Sequence, residues 1–321
     1  MKRTQVISGG AAAALAVHAL PAPAQSRALL PINVGISNIE SYGEALYALA
    51  QDFFKAGGLD AKPVTLAGGG APMTLAVISG ALDAAVANIG SIASAHVHGL
   101  GIYLIAPCGL YASAIPTSVL AVLKGSAIRN ARDLEGKTVG VTSLRDLQQA
   151  SLMQWLDANG ASAKNVTVVE ISTPQMLVAL SSNRIAAGMV VEPALTSFMN
   201  DIRILALPYD SVASSLLISG WIVNKGWYDA NADAAGRLLS VIRTTARWAN
   251  HNQAATGAIL AEHTQIPPEL VASMRRVTYA EERKFATIQP VIDVMAKYGF
   301  VSQTFRAADL FPPNLRHEGR I

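Results

Sequence analysis

Polar side chains that could hold a small molecule follow several short apolar runs of the sequence. Ser37 and Asn38 come directly after "INVGI", and Asn88 comes after "DAAVA". In open α/β sheets, ligands bind beyond the carboxyl ends of the strands, where helix N-termini point their free N–H groups. That rule selects the following candidate ligand-binding residues: Ser37, Asn38, Ile39, Tyr42, Gly69, Gly70, Asn88, Ser91, Thr142, Ser143, Arg145, Thr173, Gln175 and Glu192.

Two interpretations apply to the serines, threonines and asparagines of this set. Each could contact a ligand, or each could serve only as a helix cap, which stabilises a helix by roughly 1 kcal/mol. Ser91 and Ser143 are the predicted caps of the helices that follow them. A residue can both cap a helix and bind a ligand, so the two interpretations stay open.

Arg145 and Glu192 are the charged members of the set. A cation in the first turn of a helix opposes the helix dipole, so Arg145 is expected to have a compensating partner. That partner is either an anionic ligand or the neighbouring Asp146 in an exposed pair. Glu192 either caps the helix that begins at Pro193 or pairs with a ligand amine.

The sequence lacks the common patterns of catalytic and metal sites. It has no Gly-x-Ser-x-Gly, no His-Glu-x-x-His and no phosphate-binding loop, because "GGGAP" lacks the required lysine. His96 and His98 stand two apart on a predicted helix and therefore point to different faces. We expect no enzyme activity, no cofactor and no metal site. Trp221 is either a core residue or a ring that stacks on a ligand.

Short apolar runs alternate with helical patterns along the chain, which favours α/β architecture with doubly wound, mostly parallel sheets. One helix is predicted from a capping box at Ser41 and Glu44 to Gly57–Gly58. From about Asp233 onward the pattern is helical, and the last ten residues carry no pattern and are expected to form a loose tail.

An internal repeat divides this pattern into two lobes. "AGGLDAKPVTLAGGGAP" (56–72) matches "ANGASAKNVTVVEISTP" (158–174) without a gap at a shift of 102 residues. A strand in "SSLLISGWIVNKGWY" (214–228) has no later strand to pair with and is expected to return to the first sheet. We therefore predict lobe I from residues 28–112 and 212–321, with lobe II inserted as residues 113–211.

The N-terminal segment "MKRTQVISGGAAAALAVHALPAPA" has a basic tip, an apolar run and small residues before Gln25. This pattern predicts a signal peptide over residues 1–24, although the general and twin-arginine export routes both stay open. Its removal leaves 23 basic and 22 acidic residues, a balance that does not favour a nucleic-acid partner. With a single cysteine, Cys108, no intramolecular disulfide can form. A soluble, monomeric periplasmic protein is expected.

Four segments together resemble a known family over about residues 31 to 310. They are "ALYALAQDFFKAGGLDAKPV" (45–64), "AVISGALDAAVANIGSIASA" (76–95), "DLEGKTVGV" (133–141) and "VVEPA" (190–194). Their order is similar to that in substrate-binding proteins of ABC importers for nitrate, alkanesulfonates, taurine and thiamine-pyrimidine precursors. The resemblance implies a type II periplasmic binding fold, which closes its two lobes on a small molecule.

The resemblance also implies partners: a solute, an ABC permease and, through the permease, its ATPase. The expected solute is a small organic anion or zwitterion, such as a sulfonate, taurine, nitrate or an aromatic acid. A thiamine-pyrimidine precursor is the alternative. Some relatives are pyrimidine-synthesising enzymes with a cysteine-rich, iron-dependent site, which the single cysteine argues against. A sensory role is disfavoured because no DNA-binding helix-turn-helix is apparent.

Overall fold

The computed structural model describes Met1 and residues 28–37, 39–66, 70–264 and 266–321. The predicted signal peptide, apart from Met1, and the candidate residues Asn38 and Gly69 lie outside the described residues. The boundaries predicted for the two lobes stay a prediction.

The described segments form a mixed α/β structure. The strands are β1 (Leu30–Ile36), β2 (Leu59–Thr65), β3 (Ala84–Asn88), β4 (Ile102–Pro107), β5 (Gly109–Ala112), β6 (Ser118–Leu123), β7 (Thr138–Val141), β8 (Thr167–Glu170), β9 (Ala187–Val191), β10 (Ile202–Ala206), β11 (Ser215–Leu217), β12 (Ser219–Asn224), β13 (Thr278–Tyr279), β14 (Glu282–Arg283) and β15 (Gly319–Arg320). The α-helices are α1 (Glu44–Ala50), α2 (Phe53–Ala56), α3 (Gly70–Ile78), α4 (Ile89–Val97), α5 (Leu147–Ala158), α6 (Met176–Ser181), α7 (Ala194–Phe198), α8 (Lys225–Ala230), α9 (Ala232–His251), α10 (Gln253–Thr264), α11 (Pro268–Ser273) and α12 (Phe285–Lys297). Short 3-10 helices cover Glu40–Tyr42, Arg132–Leu134, Ala163–Asn165, Thr173–Gln175, Pro208–Ser211, Ala307–Leu310 and Pro313–Leu315.

Two five-stranded sheets share the same arrangement of parallel and antiparallel strands. In the first the order is β2-β1-β3-β12-β4, and in the second it is β8-β7-β9-β6-β10. The first three strands of each order run parallel, and the fourth runs antiparallel to both of its neighbours. These mostly parallel sheets confirm the predicted α/β fold class with two lobes.

The connection between the lobes follows from where β6 and β12 lie. The chain leaves the first sheet after β4, enters the second sheet through β6, and returns through β12. The predicted return strand therefore pairs with β3 and β4, as expected for a strand with no later partners. A small sheet of β11, β5 and β13 lies alongside this crossing.

The repeated sequence occupies equivalent corners of the two sheets. Gly58 precedes β2 with φ 78°, and Gly160 stands in the matching corner before β8 with φ 73°. This left-handed region suits glycine, which explains why both copies keep it. β7 and β8 thus repeat the parallel pairing of β1 and β2.

Apolar side chains bury strands of the first sheet on both faces, including β4 at its edge. All six residues of β4 are buried, as are the first four of β3. Such continuous burial explains why these strands appear in the sequence as unbroken apolar runs. The C-terminal helix α12 contacts α4 and β11 on one side and α5 on the other. It therefore bridges the two lobes.

Three local expectations were wrong. The helix predicted from Ser41 is broken, because Asp52 adopts φ 53° between α1 and α2. Ser41 does not cap α1; its carbonyl oxygen instead accepts hydrogen bonds from Ser219 and Cys108. The last ten residues are docked, since β15 pairs with β14 and Ile321 is only 3% exposed.

Candidate functional site

The first half of the site lies where β3 ends and α4 begins. Asn88 is the N-cap of α4, and its Oδ1 accepts a hydrogen bond of 2.7 Å from the backbone N–H of Ser91. Ser91 was the predicted cap, so the sequence placed the cap three residues too late. Gly70, the first residue of α3, packs so closely here that a Cβ would lie 2.3 Å from Asn88 Nδ2. Glycine at this position lets α3 approach the start of α4.

Asp146 faces this corner from the other lobe. It is the N-cap of α5, and its Oδ1 accepts a hydrogen bond of 2.6 Å from the backbone N–H of Leu147. Its Oδ2 accepts a hydrogen bond of 2.9 Å from Asn88 Nδ2, across 58 residues of sequence. A Cβ on Gly90 would lie 2.2 Å from Asp146 Oδ1, so only glycine permits this approach. The two helix N-termini therefore meet at the Asn88–Asp146 hydrogen bond.

The carboxyl group of Asp146 is half-buried. Burial raises its pKa from 3.8 to about 6, against the opposing hydrogen bond from the Leu147 N–H. Among the described residues, no lysine or arginine forms an ion pair with it. A buried carboxylate without a cationic partner is costly, which is the reason for the raised pKa.

Two tyrosines lie within electrostatic reach of this carboxyl group. Burial raises the pKa of Tyr42, and the charge of Asp146 raises it further. Burial and the same charge also raise the pKa of Tyr209. The ring of Tyr209 is braced edge-to-face against Tyr111, with 5.0 Å between the ring centroids. Tyr111 is fixed in turn, because its hydroxyl donates to Asp210 Oδ1 at 2.7 Å.

Ser118, the first residue of β6, adds a hydroxyl group at the crossing between the lobes. The side chain is 3% exposed, and its Oγ makes no hydrogen bond of good geometry to any group in the described part of the chain. It lies close enough to the Tyr209 hydroxyl to oppose the rise in the pKa of Tyr209. Buried hydroxyls are normally paired, so this one is available to a further partner.

Arg145 points away from this corner. It precedes the N-cap of α5 with φ 54°, so it does not lie in the first helical turn as predicted. Its guanidinium donates a hydrogen bond of 2.9 Å to the carbonyl oxygen of Gly299 and lies 5.4 Å from the centroid of the Phe300 ring. The compensating partner of Arg145 in this structure is therefore the end of α12, not Asp146.

Glu192 is buried at the start of α7. Its Oε2 accepts the backbone N–H of Thr196 at 3.0 Å, and its Oε1 accepts the Thr196 hydroxyl at 2.9 Å. Oε1 also accepts the backbone N–H of Arg275 at 3.2 Å. These bonds match the capping interpretation and tie α7 to the segment after α11.

The remaining candidates are spread along the carboxyl edges of the sheets. Ser37 is buried at the end of β1, and Ile39 packs against the core. Thr142 is held locally, since its N–H and hydroxyl both donate to Gln148 Oε1 at 2.8 Å. The last three candidates, Ser143, Thr173 and Gln175, form no hydrogen bond with Asn88 or Asp146, and Gln175 is exposed. Their roles stay predictions.

The structure thus brings together four of the predicted site residues, Tyr42, Gly70, Asn88 and Ser91. The sequence did not predict three further residues of this corner, which are Asp146, Tyr209 and Ser118. Asp146 had a signal, because an aspartate before the apolar stretch "LQQASLMQWL" is a favoured N-cap. No local sequence pattern marks Tyr209 or Ser118 as a site residue, because both lie where the chain crosses between the lobes. Trp221 lies in the core, with its indole N–H bonded to Glu44 Oε2 at 2.6 Å.

Other features lie away from this corner. A surface cavity of about 600 Å³ is lined by Arg243, Arg247, Lys284 and Arg320 together with acidic and polar groups, and it includes none of the residues of the site. Across the described segments, no cluster of three or more His, Cys, Asp or Glu side chains could hold a metal ion. No helix in those segments is long and apolar enough to cross a membrane.

Comparison with known families matches this architecture. The model of the family described as NMT1/THI5 like matches residues 41–256, about two thirds of the chain. The chain belongs to the NMT1/THI5-like family. No curated protein matches the sequence.

Solved structures place the NMT1/THI5-like chain in the type II periplasmic binding fold. The alkanesulfonate-binding protein SsuA from Xanthomonas axonopodis pv. citri, bound to MOPS, superposes with a TM-score of 0.72 at 14% identity, covering 89% of this chain and 99% of that one. The periplasmic aliphatic sulphonate binding protein SsuA from Escherichia coli also gives 0.72 at 14% identity, covering 91% and 94%. The desulfurization enzyme DSZB gives 0.65 at 15% identity, covering 89% and 97%.

Proposed function

We propose that the protein is the solute-binding component of an ABC importer, which closes its two lobes on a small organic molecule. The observation that carries this proposal is the meeting of two lobes of equal design at a buried polar corner. Asn88 and Tyr42 come from one lobe and Asp146 from the other. A solute that contacts both sides favours the closed state, which a permease can then recognise.

Several features support this proposal together. The chain passes from one lobe to the other at β6 and returns at β12, an arrangement suited to hinge motion. Proteins of similar fold include sulfonate-binding proteins. The finer parts of the proposal, which are a periplasmic location, a monomeric state and a permease partner, rest on the predicted signal peptide and on this resemblance.

The solute class follows the same resemblance: a small organic anion or zwitterion, of the sulfonate, taurine, nitrate or aromatic-acid kind. A thiamine-pyrimidine precursor is the alternative, and the carboxyl group of Asp146 would suit its amino group. The anion-binding role proposed for Arg145 is weakened by its position against Gly299 and Phe300.

An enzymatic role is the competing function, because the enzyme DSZB has the same fold. Cys108 is the single cysteine of the sequence and is buried, and burial raises the pKa of its thiol well above the ordinary value. A nucleophilic cysteine needs the thiolate form, so this thiol is unsuited to catalysis. That argument favours the binding protein.

The test uses residues 25–321 and a panel of sulfonates, carboxylates, nitrate and aminopyrimidines. A solute that binds only the folded state raises the melting temperature. Titration calorimetry then gives the affinity, and small-angle X-ray scattering reports closure as a smaller radius of gyration. Conversion of a bound solute into a new product would contradict the proposal.

A further inference from the structure

We infer that the solute carries a positively charged or hydrogen-bond-donating nitrogen, such as an ammonium or amino group, and that Asp146 binds it between the lobes. This inference rests on the proposed function and specifies its ligand. Of the solutes expected from sequence, which are an organic anion, a zwitterion or a thiamine-pyrimidine precursor, it disfavours those without such a nitrogen, because the group at the meeting point of the lobes is a carboxylate.

The charge arrangement around α5 is the first argument. Asp146 faces the other lobe, while the adjacent Arg145 points outward to Gly299. A helix N-terminus normally attracts an anion, but here the side chain of the N-cap itself occupies that position with a negative charge. A second anion placed beside Asp146 would be repelled, whereas a cation would be attracted.

The unmet hydrogen-bonding capacity is the second argument. Each carboxylate oxygen has about two lone-pair directions, and Asp146 Oδ1 and Oδ2 each accept one hydrogen bond within the described residues. Ser118 Oγ is buried and makes no hydrogen bond of good geometry within the described residues, although it lies near Tyr209. An amino group can donate to the remaining lone pairs of the Asp146 carboxylate.

The aromatic surroundings are consistent with such a ligand. Tyr42 and Tyr209 both lie within electrostatic reach of Asp146, since its charge contributes to the rise in the pKa of each. Aromatic rings accept organic cations on their faces. A site that combines one carboxylate without a cationic partner and two nearby tyrosines is therefore better suited to an amine than to a sulfonate group.

The test compares probes that differ by one amino group. The pairs are taurine and ethanesulfonate, γ-aminobutyrate and butyrate, benzylamine and benzyl alcohol, and 4-aminopyrimidine and pyrimidine. Binding to residues 25–321 is measured by thermal shift and then by calorimetry. We expect the aminated member of at least one pair to bind about tenfold more tightly than its partner.

Asp146→Asn isolates the charge. Asparagine has nearly the same shape as aspartate and still caps helices, but its single amide oxygen can accept only one of the two hydrogen bonds that Asp146 accepts from Leu147 and Asn88. The unfolding free energy of the variant is therefore measured beside its affinity. We expect the aminated probe to lose about tenfold or more in affinity. The matched control is Asp133→Asn, which alters an exposed aspartate that also accepts a backbone N–H, from Arg129 at 2.7 Å. That control should retain wild-type affinity.

Ser118→Ala provides a second variant should Asp146→Asn fail to fold. It removes a hydroxyl that makes no hydrogen bond of good geometry in the described residues, so the fold should tolerate it. We expect a severalfold weaker affinity for the aminated probe.

The outcomes separate the two proposals. Tight binding of a non-aminated anion, or an unchanged affinity in Asp146→Asn, would overturn the inference and leave the binding-protein function standing. Chemical conversion of a probe whose binding depends on Asp146 would overturn the function and leave the inference standing. A panel in which no probe binds the wild-type protein contradicts both.

Discussion

Glu44 is a fully buried carboxyl group at the start of α1. It accepts the indole N–H of Trp221 at 2.6 Å. Burial raises its pKa from 4.5 to about 8, against the opposing hydrogen bond from Trp221. At neutral pH the group is therefore mostly protonated and neutral, which fits its position beside the central strand β12.

Glu44→Gln should remove a pH dependence of stability. Because the folded pKa exceeds the unfolded value, the protonated carboxyl stabilises the fold fully below about 4.5, and this contribution is lost as pH rises through about 8. At pH 9 the variant should be more stable than wild type, by on the order of 5 kcal/mol at most, and at pH 4 the two should agree. Urea unfolding at both pH values measures the difference. Glu262→Gln, an exposed change in α10, should show no such trend.

The raised pKa of Asp146 predicts a similar but smaller dependence of stability on pH. Its pKa is raised from 3.8 to about 6, so the stability contributed by its protonated form is present below 3.8 and lost as pH rises through about 6. Asp146→Asn should therefore stabilise the protein without ligand at pH 8, by on the order of 3 kcal/mol at most, and not at pH 3.5. Equal stability at pH 8 would show that the carboxylate is well solvated. Higher stability of the variant at pH 8 would mean that Asp146 lowers the stability of the protein while serving its function.

Glu192 shows how one side chain fixes two elements. It bonds to the N–H and hydroxyl of Thr196 in α7 and to the N–H of Arg275 after α11. Glu192→Ala leaves these buried donors without partners and should cost roughly 2–3 kcal/mol in free energy of unfolding.

Glu170→Ala is the matched control for Glu192→Ala. Glu170 also accepts one backbone N–H, from Leu144 at 3.1 Å, but it is exposed. Its replacement should cost well under about 1 kcal/mol, because water can replace the lost acceptor. Denaturant unfolding compares the two variants. If Glu192→Gln keeps its stability but loses affinity for an amine, Glu192 would contact the ligand after all.

The sequence predicts elements better than it predicts their partners. The apolar runs "DAAVA", "IYLIAP", "TVGVT" and "AAGMVV" predict strands where β3, β4, β7 and β9 form, and the repeat predicts that the two corners are equivalent. The expectations placed no strand in "SVLAVL", although it is equally apolar and forms β6 at the centre of the crossing. Apolarity indicates a buried strand, but tertiary contacts decide which sheet receives it.

The site was less predictable than the fold for a related reason. Ser143 and Asp146 are both favoured N-cap types, and nothing local decides between them. The left-handed conformation of Arg145 delays the start of α5, so Asp146 becomes the cap and faces the other lobe. Tyr209 enters the site from a 3-10 helix between β10 and β11. Its position depends on how the lobes approach, which local sequence patterns do not encode.

At the scale of the molecule, a second set of contacts joins the lobes along α5 and α12. The Tyr298 hydroxyl donates to Asp157 Oδ2 at 2.8 Å, and the Arg145 guanidinium donates to the Gly299 carbonyl. These bonds lie away from the Asn88–Asp146 corner and are partly exposed. They can therefore shift the balance between open and closed states without contacting the ligand.

We expect Tyr298→Phe combined with Arg145→Ala to favour the open state. Removing two hydrogen bonds and one cation–π contact weakens the closed arrangement by about 1–2 kcal/mol, since each contact is exposed. Because only the closed state contacts the solute from both sides, apparent affinity should fall about threefold to thirtyfold. Small-angle X-ray scattering without ligand should show a larger radius of gyration.

Tyr228→Phe provides the control for this double variant. It removes a tyrosine hydroxyl whose partner, Asn314, belongs to the same predicted lobe. That change should leave the radius of gyration and the affinity unchanged, because it does not span the lobes. If the double variant behaved like this control, the α5–α12 contacts would be permanent packing and not part of the closing motion. Hinge bending would then have to occur at β6 and β12 with α12 moving together with the second lobe.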